Sequence, residues 1–194
     1  MPIQRAKMRY ADVRNVSIAA STLPAGSVIQ TVVHQTDAIV SFTASGTSDE
    51  LLIASNASDS TTHLSLSITP NFASSKILLT ASIFCEANGN NYNPVWAFYR
   101  DSTKLANSLS AGSRRTGIAM QGMGYFASDN ASTPEPVNYQ YYDSPNTTSA
   151  ITYACSYVTS ASNLQIFINR TVNDTDNNSH ERGVSIITAQ EIKV

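Results

Sequence analysis

Three histidines are present, His34, His63 and His180, and none has a partner at the spacing a metal centre needs, such as His-x-x-x-His or a neighbouring Cys. Surface or turn-edge positions are the expected role for all three. No Gly-x-Ser-x-Gly elbow occurs, so the nucleophile of an α/β-hydrolase is missing. A Ser-His-Asp triad assembles only in space, and among 27 serines no single one stands out. Paired carboxylates would serve glycoside cleavage. The acids are few and sit mostly in loop-like stretches: Asp49-Glu50, Asp59, Asp129, Glu135 and Asp143. Asn173-Asp174-Thr175-Asp176-Asn177-Asn178 places oxygen ligands at alternate positions, as a calcium loop does. With Asp174 as the first loop position, however, the sixth is Ser179 instead of Gly and the twelfth is Ser185 instead of Glu. A polar hairpin loop is the expectation there.

Cys85 and Cys155 fall within apolar β-type runs and are expected to be buried thiols. Seven Asn-x-Ser/Thr triplets, at Asn15, Asn56, Asn130, Asn146, Asn169, Asn173 and Asn177, are read as a consequence of composition. Neither a Gly-rich phosphate loop nor a cysteine pair of the zinc type is found. No cofactor and no metal are expected, and the chain is read as a non-enzyme.

The one charge pattern with a direction is at the start. Residues 1–14 hold Arg5, Lys7, Arg9 and Arg14 against Asp12, a balance of +3 that leaves −5 on the remainder of a chain of net charge −2. The alternation of Arg5, Lys7 and Arg9 puts three cations on one side of an extended strand. Such an arm can lie along an acidic partner surface, its charges setting the register. Residues 1–24 are therefore read as an extended docking arm. The Leu23-Pro24-Ala25-Gly26 break closes it.

The elements that follow read as strands. Ser27–Val33 is rich in β-branched residues, and Ala38–Phe42 follows. His63–Thr69 alternates strictly, with Leu64, Leu66 and Ile68 on one face, the period of a half-buried strand. Lys76–Cys85 contains Ile77-Leu78-Leu79, a run that suggests burial on both faces. Further strands are expected at Val95–Arg100, Val137–Tyr142, Ser149–Val158, Leu164–Arg170 and Val184–Ile192. A short one is expected at Val13–Ile18. Between Asn107 and Gly124 four glycines argue against a long helix, while Ile118 and Met120 suit a strand. About ten strands at regular spacing indicate a β-sandwich or jelly roll over residues 25–194.

Composition agrees. The 194 residues include 27 Ser, 19 Thr and 16 Asn but only 13% charged residues, too few to clothe the wet faces of many helices. This composition argues against a helical bundle, a coiled coil and a basic nucleic-acid binder. No apolar run approaches the length of a membrane span, and the N-terminus lacks the apolar stretch of a secretion signal, so synthesis in the cytoplasm is expected. The nine tyrosines and Trp96 would suit sugar platforms, but core or subunit-contact roles are favoured.

The order of these segments resembles a β-domain of bacteriophage virion surface proteins, notably those of cyanophages and marine phages. The resemblance runs over residues 23–194. It is carried by Leu23-Pro24-Ala25-Gly26-Ser27-Val28-Ile29-Gln30, by Ser65–Pro70 followed by Ser74-Ser75-Lys76-Ile77-Leu78-Leu79, and by Phe98-Tyr99-Arg100-Asp101. Tyr142-Asp143-Ser144-Pro145 with Thr148–Tyr153, and the closing Ala189-Gln190-Glu191-Ile192, complete it. The resemblance implies an antiparallel jelly-roll knob similar to the trimeric heads of tumour necrosis factor and C1q. Members serve as tail fibres and head decorations on the outside of the particle. The absence of repeats, heptads and shaft favours a homotrimeric decoration or cement protein docked on the major capsid protein, or on another virion protein, through the arm. A tail-fibre role is the alternative. It predicts that loops 88–94 and 129–142 bind host glycans, with Asn91, Tyr92, Trp96, Tyr139 and Tyr141 as contacts. A glycan-active enzyme ranks third. Neither nucleic acid nor membrane is an expected partner.

Overall fold

The computed structural model of the protein describes residues 19–53, 64–107, 112–122 and 132–194. Within them a short 3-10 turn, Ala20–Thr22, leads into eleven strands. These are β1 (Val28–Thr36), β2 (Val40–Thr43), β3 (Glu50–Leu51), β4 (Ser65–Ile68), β5 (Lys76–Ala87), β6 (Val95–Arg100), β7 (Thr103–Lys104), β8 (Glu135–Asp143), β9 (Ile151–Val158), β10 (Gln165–Ile168) and β11 (Ser185–Ile192). The described residues contain no α-helix. The strand expected at Val13–Ile18 lies outside the described residues. The two-residue strands β3 and β7 carry too little pattern to be read from sequence.

All pairings are antiparallel and fall into two sheets. In the first sheet β8 runs along one edge of β5, from Ile77↔Asp143 to Cys85↔Glu135. The other edge of β5 is shared. β11 takes it from Lys76 to Ser82, and β10 takes it from Cys85 to Ala87. β1 then flanks β11 and β2 flanks β10. So β1 with β2, and β10 with β11, each form one long strand broken in the middle. The second sheet has the same construction. β9 carries β4 and β3 end to end on one edge and β6 on the other, with β7 beyond β6.

Counted as eight composite strands, the first pairs with the eighth, the second with the seventh, the third with the sixth and the fourth with the fifth. Successive pairs alternate between the sheets. That is one antiparallel ribbon wrapped around a core, the strand order of a jelly roll. The expected all-β jelly-roll sandwich is thus the fold.

The core lies between the sheets. Trp96, Phe98, Tyr153 and Tyr157 of the second sheet meet Phe42, Ile77, Leu79, Ile83, Ile166 and Ile168 of the first, all fully buried. Each such side chain contributes roughly 1.5–3 kcal/mol of apolar transfer free energy. Trp96 lies 4.7 Å from Tyr157 between ring centres, and Phe98 lies 4.6 Å from Tyr139. The alternation read in His63–Thr69 holds, with Leu64, Leu66 and Ile68 buried. One expectation is corrected. Ile77-Leu78-Leu79 is not buried on both faces, because Leu78 is only half-buried. It stands on the outer face of the first sheet, and β5 alternates along most of its length.

Candidate functional site

The outer faces of the two sheets differ in kind. On the first sheet the register lines up four rows that point away from the core. Ser82, Asn138, Ile186 and Gln35 form one row; Thr80, Gln140, Thr188 and Val33 the next; Leu78, Tyr142, Gln190 and Thr31 the third. None of these twelve side chains is charged. Lys76, at the start of β5, heads the last row beside Ile192 and Val28. Val33 and Tyr142 are about half exposed, at 52% each. The short side chains Thr80 and Ser82, between Asn138, Gln140 and Ile186, leave a shallow groove of about 410 Å³.

The outer face of the second sheet is covered. Val95, Ala97, Ala154, Ser156 and Val158 point away from the core, yet all are buried. The chain after β7 returns over this face. Ala119 bridges Trp96, Ile118 N–H donates to the Trp96 carbonyl at 2.8 Å, and Trp96 Nε1 donates to the Gln121 carbonyl at 3.0 Å. Gly117 makes the approach possible, since a Cβ there would sit 2.2 Å from Val95 Cγ1 and 2.8 Å from the Trp96 carbonyl oxygen. Lys104 Nζ donates to both Asp49 oxygens, at 2.9 and 2.8 Å, and Ser156 Oγ lies 3.4 Å from the same carboxylate. Burial pushes the Tyr99 hydroxyl up to about 12, and the Asp49 charge adds to the rise. Arg115 Nη2 donates to the Gly46 carbonyl at 2.7 Å.

Ser113, Arg114 and Arg115 line two grooves on this side. One, about 660 Å³, also has Asn93, Pro94, Val95 and Met120 in its wall. The other, about 340 Å³, also has Thr47, Asp49, Lys104, Thr116 and Val158. Sequence reasoning passed over these residues. Their signal was the Arg114-Arg115 pair, the only charges between Lys104 and Asp129.

Two of the expected glycan contacts are corrected. Trp96 is 0% exposed and Tyr139 is 7% exposed, so both belong to the core. Trp96 sits on the inward parity of β6, and Tyr139 pairs with Ala81 on the inward parity of β8. The other three are reachable to different degrees. Tyr92 is 59% exposed, while Asn91 and Tyr141 are half-buried. Asn91 Oδ1 accepts a 2.5 Å hydrogen bond from the Tyr157 hydroxyl, so it anchors its loop to the core. The Tyr92 carbonyl accepts from Thr159 Oγ1 at 2.7 Å and Ser160 Oγ at 3.0 Å, fixing the loop that presents its ring. The arm residues Arg5, Lys7, Arg9 and Arg14 lie outside the described residues, as does His63.

Several other sequence features have structural roles. Asp174, in the calcium-like loop, is taken by Arg182, with bonds of 2.7 and 2.6 Å, and by Arg170 at 3.1 Å. These cations occupy the carboxylate where a calcium ion would need it. This loop is the polar excursion that separates β10 from β11. The buried Glu86 carboxylate ties it down, accepting from Val172 N at 2.7 Å and Thr133 N at 2.8 Å. Cys85 and Cys155 are free and buried, as expected. Among the described residues no group of three His, Cys, Asp or Glu is placed to hold a metal ion. None of the described helices is long and apolar enough to cross a membrane.

No protein-family model and no curated protein matches this chain. Among solved structures it is similar to the VP2 subviral particle of infectious bursal disease virus, at 10% identity and a TM-score of 0.35, over 87% of this chain and 39% of that one. The chain thus spans less than half the length of that protein. The jelly-roll assignment rests on this chain's own strand order.

Proposed function

We propose that the protein is a non-enzymatic structural component of a phage particle. In this reading it is a homotrimeric knob on the virion surface, docked on the major capsid protein by residues 1–24 as a decoration or cement protein. The observation that carries the reading is the open outer face of the first sheet. Twelve residues in register there carry no charge, in a sheet whose neighbour covers its own outer face with chain. A face of Leu78, Tyr142, Val33 and Ile186 among short polar residues suits burial against further copies, because no ion has to be desolvated. The sequence resemblance over residues 23–194 supplies the particle. Three basic arms on one trimer would each cross a joint between capsid subunits, and their avidity would resist separation without any single tight contact.

Tail-fibre recognition of host glycans is the second reading, favoured by Tyr92, exposed on a loop whose backbone is fixed. Catalysis on glycans is favoured least. The buried carboxylates Asp143, Glu86 and Glu191 are each engaged by donors that hold the fold.

The deciding experiment is copy number per virion by quantitative mass spectrometry, with the mass in solution by light scattering. Hundreds of copies and a threefold mass support decoration. A few tens of copies or fewer support the tail. Absence from the particle overturns the virion reading. Thr80→Lys with Gln140→Lys is expected to yield monomers, since both charges would be buried in the contact. A trimer that survives both changes moves the contact elsewhere.

A further inference from the structure

Of the 16 asparagines only Asn88 precedes a glycine. Asparagine is a thermolabile residue, because its amide carbon is open to attack by the main-chain nitrogen of the next residue. A Cβ on that next residue hinders the approach, and glycine has none. Bulkier side chains such as Val16, Phe72, Tyr139, Leu164 and Arg170 follow other asparagines. The fold adds three conditions at Asn88. It is exposed in the turn that follows β5, so water and base reach it. Gln165 N–H donates to Asn88 Oδ1 at 3.0 Å, which draws electrons from Cγ and favours the negative charge the oxygen takes on under attack. The amide nitrogen is held more weakly, since Asn88 Nδ2 donates to Gln165 Oε1 at 3.3 Å.

We propose that Asn88 is a site of spontaneous deamidation in the folded protein. Hydroxide takes the proton from Gly89 N, and that nitrogen forms a bond to Asn88 Cγ. The Cγ–Nδ2 bond then breaks, and ammonia leaves with a proton from water. The product is a five-membered succinimide. Water adds to one of its two carbonyl carbons. Opening at Cγ gives aspartate, and opening at the main-chain carbon gives isoaspartate. In sum, one water is taken up and one ammonia released, with no oxidation or reduction. Both products lose the Nδ2 donor and gain a carboxylate, an added negative charge at the end of β5. In the isoaspartyl form the chain continues through Cγ, so Gly89 leaves from the position of a side chain. Residues 90–94, which present Tyr92, then start from a displaced atom, while the Tyr92 carbonyl stays tied to Thr159 and Ser160. The turn is thus a timer that separates aged from newly made chains. It operates whether the knob decorates a head or serves a tail.

The test is ageing of the full native chain in warm, mildly alkaline buffer, followed by mass spectrometry of the tryptic peptide 77–100. Asn88 is expected to gain about 1 Da, amide exchanged for acid, before any other asparagine does. An isoaspartyl methyltransferase is expected to label the same peptide. Gly89→Ala is expected to slow the gain by about tenfold or more, since a Cβ then stands beside the attacking nitrogen. That Cβ would lie 3.4 Å from Leu164 Cδ1, an ordinary contact, so the variant's thermal melt should match the parent's. The chain unfolded in guanidinium gives the reactivity of the sequence without the fold. An unchanged Asn88 in the native chain overturns the proposal, whatever the unfolded chain does. So does earlier reaction at another asparagine, or an equal rate in Gly89→Ala.

Discussion

Arg100 and Asp143 join the two sheets. Arg100, the last residue of β6, donates from Nη1 to both carboxylate oxygens of Asp143, the last residue of β8, at 3.0 and 2.9 Å. The Tyr153 hydroxyl, from β9, donates to the same carboxylate at 2.7 Å. Burial, with the Asp143 contact adding, pushes that phenol above its ordinary pKa. The Asp143 side chain is 7% exposed and Arg100 26%. A carboxylate so placed is tolerable only because three donor contacts meet it.

Removing that carboxylate should therefore cost more than a surface ion pair. Asp143→Ala leaves the Tyr153 hydroxyl buried without its acceptor and Arg100 without its anion. A loss of about 2–3 kcal/mol is expected, the low side of a buried pair because Arg100 keeps some solvent. Tyr153→Phe should cost about 1 kcal/mol. Urea unfolding with unchanged slope measures both, and an Asp143→Ala loss below that of Tyr153→Phe would refute the assignment.

Glu191 predicts an acid-sensitive closure of the knob. Burial pushes its pKa up, but hydrogen bonds from Asn71 and Gln30 outweigh burial and hold it below its ordinary 4.5. Asn71 N donates at 2.7 Å, Asn71 Nδ2 at 2.8 Å and Gln30 Nε2 at 2.7 Å. The folded state thus binds the proton less readily than the unfolded chain. Its stabilisation is complete above pH 4.5 and is lost as pH falls through the folded pKa. Glu191→Gln should lower stability at neutral pH and flatten the acid limb of a stability–pH curve. An acid limb identical to the parent's would remove Glu191 as its cause.

Gly183 and Gly117 are set by close packing. A Cβ on Gly183 would lie 2.3 Å from the Phe84 ring, and one on Gly117 would lie 2.2 Å from Val95 Cγ1. Gly183→Ala and Gly117→Ala should each destabilise by roughly 1–3 kcal/mol through overpacking. Gly112→Ala is the contrast. Nothing lies within 4 Å of its Cβ, and its φ of +65° leaves only backbone strain, about 1 kcal/mol. Chemical denaturation of the three variants should give that order.

The two thiols should be silent until the protein opens. Burial pushes Cys155 up to about 12 and Cys85 higher still. Thiolate, the reactive form, is then scarce at neutral pH. Ellman's reagent should find no fast-reacting thiol in the native protein and two per chain in guanidinium. A thiol that reacts at once under native conditions would contradict the burial of both.

Strand identity was written in the chain. The alternation of Leu64, Leu66 and Ile68, the β-branched run at Val28–Val33 and the turn at Asp143-Ser144-Pro145 fixed local conformation, because side-chain period and turn chemistry act within a few residues. The neglect of helix formers fixed the class. Which face each strand buries was legible only where the pattern was clean. Leu78 was misread because an apolar residue on an open sheet face has the same sequence as one in a core. Trp96 and Tyr139 hold the core role favoured for the aromatics, and the alternative of sugar contact stayed open in the sequence because an aromatic's type does not reveal the inward parity that register confers. The break of the long outer strands into β1 with β2 and β10 with β11, and the return of residues 112–121 over the second sheet, arise from pairings between segments far apart in sequence. Arg114 and Arg115 were visible as charges from the start. Only the tertiary structure set them beside Asn93 and Met120, since long-range β-pairing depends on the partner strand as much as on the segment itself.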